Sequence, residues 1–336
     1  MTARALSQAM QTFSPRRRRL VLAALVAGVQ PALLRAASAV GGTAPFDTFD
    51  WEWQDASRGR AVPVRLRLPR SALREQPVPL VVFSHGIGGS REGYSYLGGH
   101  WASQGLASLH VQHVGSDRSL WFGNPLALAA RLQDAARESE AIARVGDLRF
   151  ALDRLLGSGE GERIDAGRIA AAGHSYGANT TLLAVGARVE RQGRLLELRD
   201  ARLKAAIVLS APPFYGEASP RRILAEVKVP SLHVTATEDV IRIPGYYSGA
   251  DDRIAVFEAM GSVHKTLAVF EGGSHSMFTD RQGTGGALLN PQVKAATQAL
   301  SLAFLRQVFG LGGEDALRAW PADHRSILAR FVPGDR

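Results

Sequence analysis

The sequence predicts an α/β protein in which a mostly parallel central sheet is flanked by helices. Continuous apolar runs of strand length occur at 78–83 and 205–209, as expected for strands that are buried on both faces of a sheet. Stretches with apolar residues at helical spacing separate such runs, for example at 145–156, and this alternation is typical of a parallel α/β sheet. The third observation is a serine between two glycines, at 173–177, placed after a strand and before a helix.

Residues 173–177 read Gly-His-Ser-Tyr-Gly and match the G-x-S-x-G pattern of a nucleophile elbow. With 35 glycines in 336 residues, the bare pattern should arise by chance in roughly one such chain in five, and a plain tight turn is the alternative. A short apolar strand at 168–172 before it and helical spacing after it favour the elbow. Ser175 is therefore predicted to be a nucleophile at a helix N-terminus, where developing negative charge is favoured. Gly173 and Gly177 would leave room around it.

A second glycine-rich stretch, which we call the glycine loop, covers residues 84–90 and follows the apolar strand at 78–83. A dinucleotide-binding loop would need a third glycine where Arg91 stands. The stretch instead fits a loop that supplies one backbone N–H to an oxyanion after an early central strand. The predicted oxyanion donors are the N–H groups of Ile87 and Tyr176.

The histidines within these two motifs are assigned supporting roles. His174 adjoins Ser175 in sequence, but neighbouring side chains at a tight elbow diverge, so His174 is expected to support the elbow. His85 lies in the glycine loop beside Gly86 and Gly88, and it is expected to brace that loop.

His110 and His113 form an H-x-x-H pair, which can indicate a metal site. No carboxylate stands at ligand spacing, so a pair at the end of a strand is the favoured interpretation. No metal and no cofactor is expected. The long segment at 114–137 either shapes a pocket at the sheet edge or packs as ordinary surface.

The remaining elements extend the same plan. Two strands with period-two alternation, at 49–54 and 62–68, are predicted to pair antiparallel through a turn at 57–59. The other predicted elements are the strands at 106–111, 231–239 and 264–270 and the helices at 94–104, 180–188 and 293–308.

The closing helix has recognisable boundary signals. Asn290 is its predicted N-cap, with Pro291 at the first helical position, and Gly310 ends it. The stretch at 240–263 is expected to be irregular. The tail that contains Trp320 receives no prediction.

The first 39 residues have the organisation of a secretory signal peptide. Arginines at 16–19 precede an apolar run at 20–27, and an A-x-A cleavage site follows at 37–39. The apolar run is too short to span a bilayer, and the paired arginines resemble a twin-arginine signal. A basic helix on a membrane surface is the alternative. No cysteine stands at the cleavage site, which excludes lipoprotein anchoring.

The predicted signal carries much of the basic charge. It holds six arginines and no acid, so its removal lowers the formal net charge from +9 to +3, which gives no argument for nucleic-acid binding. The absence of cysteine excludes disulfides, thiolate metal sites and a cysteine nucleophile. Residues 40–336 are expected to form a single domain with no membrane span, exported to the periplasm or secreted. No oligomeric state is predicted.

Three stretches carry a family resemblance that covers nearly all of residues 46–310. Phe-Ser-His-Gly-Ile-Gly at 83–88, the elbow at 173–177 and the helix at 144–155 resemble platelet-activating-factor acetylhydrolases and their bacterial relatives. Those relatives, often labelled dienelactone-hydrolase-like, belong to the α/β-hydrolase superfamily. The resemblance therefore implies an α/β-hydrolase fold. True dienelactone hydrolases use a cysteine nucleophile, so activity on a dienelactone is not implied.

The resemblance also implies a catalytic triad, because Ser175, Asp239 and His275 follow the chain order of nucleophile, acid and histidine in that fold. In the acetylhydrolases the acid follows the strand after the elbow helix, but 209–212 offers no carboxylate there. The acid is expected after the next strand, as in polyesterases, where 235–239 resembles their G-x-x-D turn with alanine for glycine. The rival acids are Glu238, Asp251 and Asp252.

These features predict a serine hydrolase that cleaves small-molecule carboxylic esters through an acyl-enzyme. The expected chemistry has Ser175 attack the ester carbonyl, His275 take its proton and Asp239 orient His275. Polyesterase or cutinase-like, thioesterase and amidase activities are alternatives, and so is a binding protein without catalysis. No large insertion stands out as a lid, which favours short or accessible esters.

Overall fold

A nine-stranded sheet forms the centre of the protein. The computed structural model describes residues 44–217, 219–243 and 246–335, and the predicted signal peptide at 1–39 lies outside these residues. The strands of the described part are β1 (Phe46–Asp55), β2 (Arg60–Pro69), β3 (Val78–Ser84), β4 (Ala107–Val111), β5 (Ile164–His174), β6 (Val189–Arg191), β7 (Arg194–Leu196), β8 (Leu203–Leu209), β9 (Ser231–Ala236), β10 (Ile241–Ile243), β11 (Tyr246–Ser248), β12 (Lys265–Phe270) and β13 (Leu328–Val332).

The order of strands in the sheet is β1-β2-β4-β3-β5-β8-β9-β12-β13. The strands from β4 to β12 in that order are parallel. Strands β1, β2 and β13 add to the two sides with antiparallel pairing. The mostly parallel sheet predicted from the apolar runs is therefore confirmed. Two separate hairpins, β6–β7 and β10–β11, lie outside it.

Helices cover both faces of this sheet. They are α1 (Ser95–Ser103), α2 (Leu128–Ala135), α3 (Glu138–Leu156), α4 (Tyr176–Ala184), α5 (Pro220–Leu224), α6 (Ala250–Ala259), α7 (Leu289–Val308) and α8 (Glu314–Asp323). Side chains alternate between two cores along each strand, so Val82 of β3 packs with α3 and α4 while Val81 packs with α1 and α7. Within the described ranges, no helix has both the length and the apolar character needed to cross a membrane.

The closing helix begins earlier than its sequence signals indicate. It starts at Leu289, with Leu288 as the N-cap, so the prediction of Asn290 as N-cap is wrong. Asn290 is buried, and its side-chain amide donates to the carbonyl oxygen of Thr284 at 2.8 Å. The amide holds the preceding loop against the helix instead of capping it.

The tail completes the sheet, which the sequence did not predict. Strand β13 pairs antiparallel with β12, and Trp320 of α8 is buried beneath it. The Trp320 ring contacts Phe270 and Phe331, with centroids 6.0 and 5.5 Å away. Its indole N–H donates to the carbonyl oxygen of Ala296 at 2.9 Å. The stretch expected to be irregular also has structure, since it forms the β10–β11 hairpin and α6.

A buried histidine in β9 should make the stability of the fold depend on pH. Burial lowers the pKa of His233 to about 3, and the charge of Lys265 acts in the same direction. Below the unfolded-state pKa of 6.5, the unfolded chain binds a proton at this site that the folded chain does not. The contribution of His233 to stability should therefore fall by about 1.4 kcal/mol per pH unit between pH 6 and 4.

Urea unfolding of wild type and His233→Gln measures this contribution. The difference in unfolding free energy between the two proteins should be constant above pH 7.5 and should shift in favour of the variant as the pH falls from 6 to 4. A difference that stays constant over the whole range would contradict a neutral, buried His233.

Candidate active site

Ser175 occupies a sharp turn between the end of β5 and the start of α4. Its backbone has φ 56° and ψ −123°, a conformation that non-glycine residues rarely adopt. The chain is packed so tightly here that a Cβ at Gly173 would collide with the backbone of Gly177, and a Cβ at Gly177 would collide with that of Ser84. Glycine is therefore required on both sides of Ser175. The N–H of Ser175 donates to the carbonyl oxygen of Leu209 at 2.9 Å and anchors the turn to β8.

The structure brings Ser175, His275 and Asp239 into one hydrogen-bonded chain. The Nδ1–H of His275 donates to Asp239 Oδ1 at 2.7 Å, and Nε2 lies 2.8 Å from Ser175 Oγ, positioned to accept its proton. The three residues follow β5, β9 and β12, three parallel strands whose carboxyl ends lie on one edge of the sheet. We call these residues the candidate triad.

Asp239 is held as a buried carboxylate. Its Oδ2 accepts a hydrogen bond from Thr235 Oγ1 at 2.7 Å, and the buried guanidinium group of Arg253 lies 3.4 Å from Oδ1. Burial raises the pKa of Asp239, but the hydrogen bond and charge of His275 and the charge of Arg253 outweigh it and lower the pKa below its ordinary value. Asp239 therefore stays ionised beside His275. Arg253, on α6, carries no motif that would have indicated this role.

The three other candidate acids, Glu238, Asp251 and Asp252, do not contact His275 in the described structure. Glu238 is exposed on the turn after β9, and Asp251 is exposed on α6. Asp252 accepts a hydrogen bond from the backbone N–H of Gly249 at 2.8 Å, at the start of that helix. Of the four carboxylates considered, only Asp239 contacts His275 in the described structure.

The glycine loop presents two free backbone donors next to Ser175. In the described part of the chain, the N–H groups of Ile87 and Tyr176 make no hydrogen bond to protein, and both residues line the same cavity as Ser175. Two hydrogen bonds fix the loop at Gly88. Its N–H donates to the carbonyl oxygen of Ser116 at 2.8 Å, and its carbonyl oxygen accepts from the indole N–H of Trp121 at 2.8 Å. Gly88 has φ 71°, which favours glycine at this position.

His85 braces this loop from within. Its Nδ1–H donates to the carbonyl oxygen of Gly86 at 2.7 Å, and its Nε2 accepts from the backbone N–H of His113 at 3.0 Å. Burial lowers the pKa of His85 well below its ordinary value, and the positive charge of Arg144 acts in the same direction. The ring is therefore neutral, and both of its nitrogens form hydrogen bonds with backbone groups.

His174 connects the glycine loop to the candidate triad. Its Nε2–H donates to the carbonyl oxygen of His275 at 3.0 Å, so its Nδ1 accepts from the hydroxyl of Tyr94 at 2.9 Å. The Tyr94 oxygen in turn accepts from the N–H of Gly86 at 3.2 Å. Burial, and then the neighbouring His275, lower the pKa of His174 to about 3. A neutral His174 therefore orients the backbone of His275, and its own nitrogens are not free to act on Ser175.

Arg144 is a fully buried cation that contacts both the glycine loop and α4. Its guanidinium group donates to the carbonyl oxygen of His85, to Thr180 Oγ1 at 2.9 Å and to Ser116 Oγ at 2.8 Å. It also stacks on the ring of Tyr176, 4.5 Å from the centroid. Burial lowers the pKa of Arg144 to about 10, so the group remains positive at neutral pH. A single side chain thus ties the glycine loop to α4.

The two histidines of the H-x-x-H pair are used in separate hydrogen bonds. His113 contacts Asp147 Oδ2 and Ser84 Oγ, each at 3.1 Å, while His110 Nδ1 lies 3.1 Å from the Gly93 carbonyl oxygen. Among the described residues, no group of three or more potential metal ligands is present.

A cavity of about 220 Å³ opens beside Ser175. Its walls are mostly apolar and come from α2, α3, α4, the β6–β7 hairpin and the segment at 212–217. Leu132 and Ala136 contribute from the segment at 114–137, and Ile241 and Tyr246 contribute from the β10–β11 hairpin. The segment at 114–137 and the β10–β11 hairpin therefore both help to form this cavity.

The family model described as platelet-activating factor acetylhydrolase, isoform II, matches residues 67–124, which include the glycine loop. No curated protein matches the chain significantly. Among solved structures, a ferulic acid esterase from Streptomyces cinnamoneus is similar, with a TM-score of 0.57 and 24% sequence identity, covering 80% of this chain and 92% of the esterase chain.

The solved structure shows the fold, and the family match supports a carboxylic ester hydrolase. The chain shares the fold of that esterase, and its residues 67–124 are similar to the platelet-activating factor acetylhydrolases.

Proposed function

We propose that this ester hydrolase uses Ser175 as a nucleophile and proceeds through an acyl-enzyme. The observation that carries the proposal is the continuous hydrogen-bonded chain from Asp239 through His275 to Ser175, at 2.7 and 2.8 Å. A nucleophile, a base in contact with it and a group that orients the base are the requirements of this chemistry.

In the proposed reaction, Ser175 Oγ attacks the ester carbonyl carbon while His275 Nε2 takes its proton. The tetrahedral oxyanion accepts hydrogen bonds from the N–H groups of Ile87 and Tyr176, each worth roughly 10²–10³ in rate. His275 then protonates the leaving alcohol, and the acyl group remains on Ser175. Water, activated by His275, releases the acid in the second half of the reaction.

The surroundings support this assignment. Arg144 holds the His85 carbonyl and stacks on Tyr176, so it fixes the two oxyanion donors relative to each other. Preorganised donors cost no reorganisation during the reaction. A binding protein without catalysis would not need this arrangement. Thioester, amide and polyester hydrolysis use the same groups, and they remain alternatives within the same mechanism.

The nucleophile assignment predicts selective covalent labelling. A fluorophosphonate probe should label the wild-type protein and Ser276→Ala, which changes a neighbouring serine of the His275 loop. Ser175→Ala should not react, because no other serine in the described structure contacts His275 Nε2. In-gel fluorescence measures the labelling, and equal labelling of Ser175→Ala would contradict the assignment.

The acid assignment predicts unequal effects of two neighbouring substitutions. Asp239→Asn should lower kcat for a 4-nitrophenyl ester by about 10⁴, because the amide favours the wrong tautomer of His275. Glu238→Gln should change kcat far less, because Glu238 is exposed. Reversed effects, with unchanged melting temperatures, would identify Glu238 as the acid.

We also propose that the chain is exported by the signal at 1–39. The basic, apolar and A-x-A regions in that order support export and cleavage near Ala39. Intact-mass measurement of periplasmic protein should show that 39 residues are missing. Replacing Arg17 and Arg18 with lysine should block export if the route is the twin-arginine one. A full-length cytoplasmic product from the wild-type gene would contradict export.

A further inference from the structure

The cavity beside Ser175 follows one face of α4. Tyr176, Asn179 and Leu183 all line it, and residues three and four apart share a face of a helix. These three residues therefore form a row that begins next to Ser175 and continues along the helix. The seven residues from Tyr176 to Leu183 rise about 10 Å along the axis, so the cavity extends about that far from the Ser175 end of α4.

The far end of the cavity has an apolar wall. Val189 and Leu196 are paired across the β6–β7 hairpin, and both line the cavity, as does Leu198. The backbone N–H of Asp200 donates to the carbonyl oxygen of Ala184, the last residue of α4, at 2.8 Å. This hydrogen bond places Leu198, two residues before Asp200, near the C-terminal end of the helix. We call the following residues the end wall: Leu183, Val189, Leu196 and Leu198.

The charged residues of the cavity are paired with one another. Within the described part of the chain, the charged lining residues are Glu138, Arg191 and Glu217, and Arg191 forms ion pairs with both glutamates. Arg191 is therefore already used and is not free to bind a carboxylate of a substrate. The rest of the wall is mostly apolar and suits an aliphatic chain, because burying such a chain removes its surface from water.

The size of the cavity limits the length of that chain. A volume of about 220 Å³ holds about seven groups of the size of a water molecule or a methylene, at about 30 Å³ each. The row on α4 gives a consistent length. A fully extended chain of single bonds covers about 1.2 Å per bond, so about eight bonds span 10 Å. Both estimates indicate a chain of about eight carbons.

The acyl part of an ester is the part that faces this cavity. His275 Nε2 lies 2.8 Å from Ser175 Oγ, and in the proposed reaction it protonates the leaving alcohol, so the alcohol lies on the His275 side. His275 does not line the cavity, whereas the proposed oxyanion donors, Ile87 and Tyr176, do. The acyl chain therefore points away from His275 and along α4.

We propose that the enzyme is specific for straight-chain acyl groups of about eight carbons, and that the end wall sets this length. The chain would run from Ser175 along α4 and stop where Leu196 and the other residues of the end wall close the cavity. This inference rests on the proposed esterase function, because it names the acyl group that Ser175 receives. The absence of a lid insertion favoured short esters, but the β6–β7 hairpin supplies an apolar wall for a longer chain.

A series of 4-nitrophenyl esters from acetate to dodecanoate tests the chain length, with kcat/KM at low micromolar ester as the readout. Wild type should have its highest kcat/KM with octanoate. Each methylene up to that length should raise kcat/KM by up to about fourfold, because it moves from water to apolar walls. Dodecanoate should react more slowly than octanoate, because its last carbons do not fit. An optimum at acetate would overturn the inference.

Substitutions in the end wall should move the optimum in opposite directions. Leu196→Ala should move it to decanoate or dodecanoate, and Leu196→Trp should move it to hexanoate or butanoate. The matched control is Leu195→Ala, which should keep the optimum at octanoate. Leu195 is 39% exposed and does not line the cavity, since neighbouring residues of a strand face opposite sides. An optimum that both Leu196 variants retain, or that Leu195→Ala moves equally, would contradict the role of the end wall.

Alkyl acetates from ethyl to dodecyl acetate test the other side of the ester. They should show no optimum near octyl acetate. An optimum there, without one in the acyl series, would assign the cavity to the alcohol and overturn the inference. Labelling of Ser175 by the fluorophosphonate together with an optimum at acetate would contradict only the chain length. No turnover of any ester and no labelling would instead count against the proposed esterase function.

Discussion

The close approach of backbone to backbone at the turn that carries Ser175 is the constraint on which the rest of the candidate site depends. Gly177 touches the end of β3 at Ser84, and no side chain fits between them. Because the glycine loop begins at Ser84, this contact places the N–H of Tyr176 beside the loop that carries Ile87. The positive φ of Ser175 is the strain that this contact imposes, and it turns the hydroxyl toward His275.

Two polar networks hold the elbow from opposite sides. Arg144 joins the glycine loop to α4 on one side, and the chain from Gly86 through Tyr94 and His174 reaches the backbone of His275 on the other. Burying a guanidinium group is costly unless its donors are used, and here they meet His85, Ser116 and Thr180. The two proposed oxyanion donors and the proposed base are thus fixed by groups that have no proposed part in the reaction.

The fold and the candidate triad were largely accessible from sequence, because they depend on local patterns. Apolar runs indicated the parallel strands, and the glycine-serine-glycine turn indicated Ser175. Arg144 and Arg253 were missed because nothing local distinguishes them from surface residues of a helix; only the packing of α3 and α6 buries them. Asn290 was misassigned because Asn-Pro is a general helix-start signal, whereas its amide is used by the preceding loop.

The central claim is that ester cleavage passes through an acyl group on Ser175. A rapid acid quench of the enzyme during turnover of a 4-nitrophenyl ester, followed by peptide mass mapping, tests it most directly. We predict an increase equal to the acyl group on the peptide that contains Ser175. An acyl group on another residue, or equal turnover by Ser175→Ala, would contradict the account.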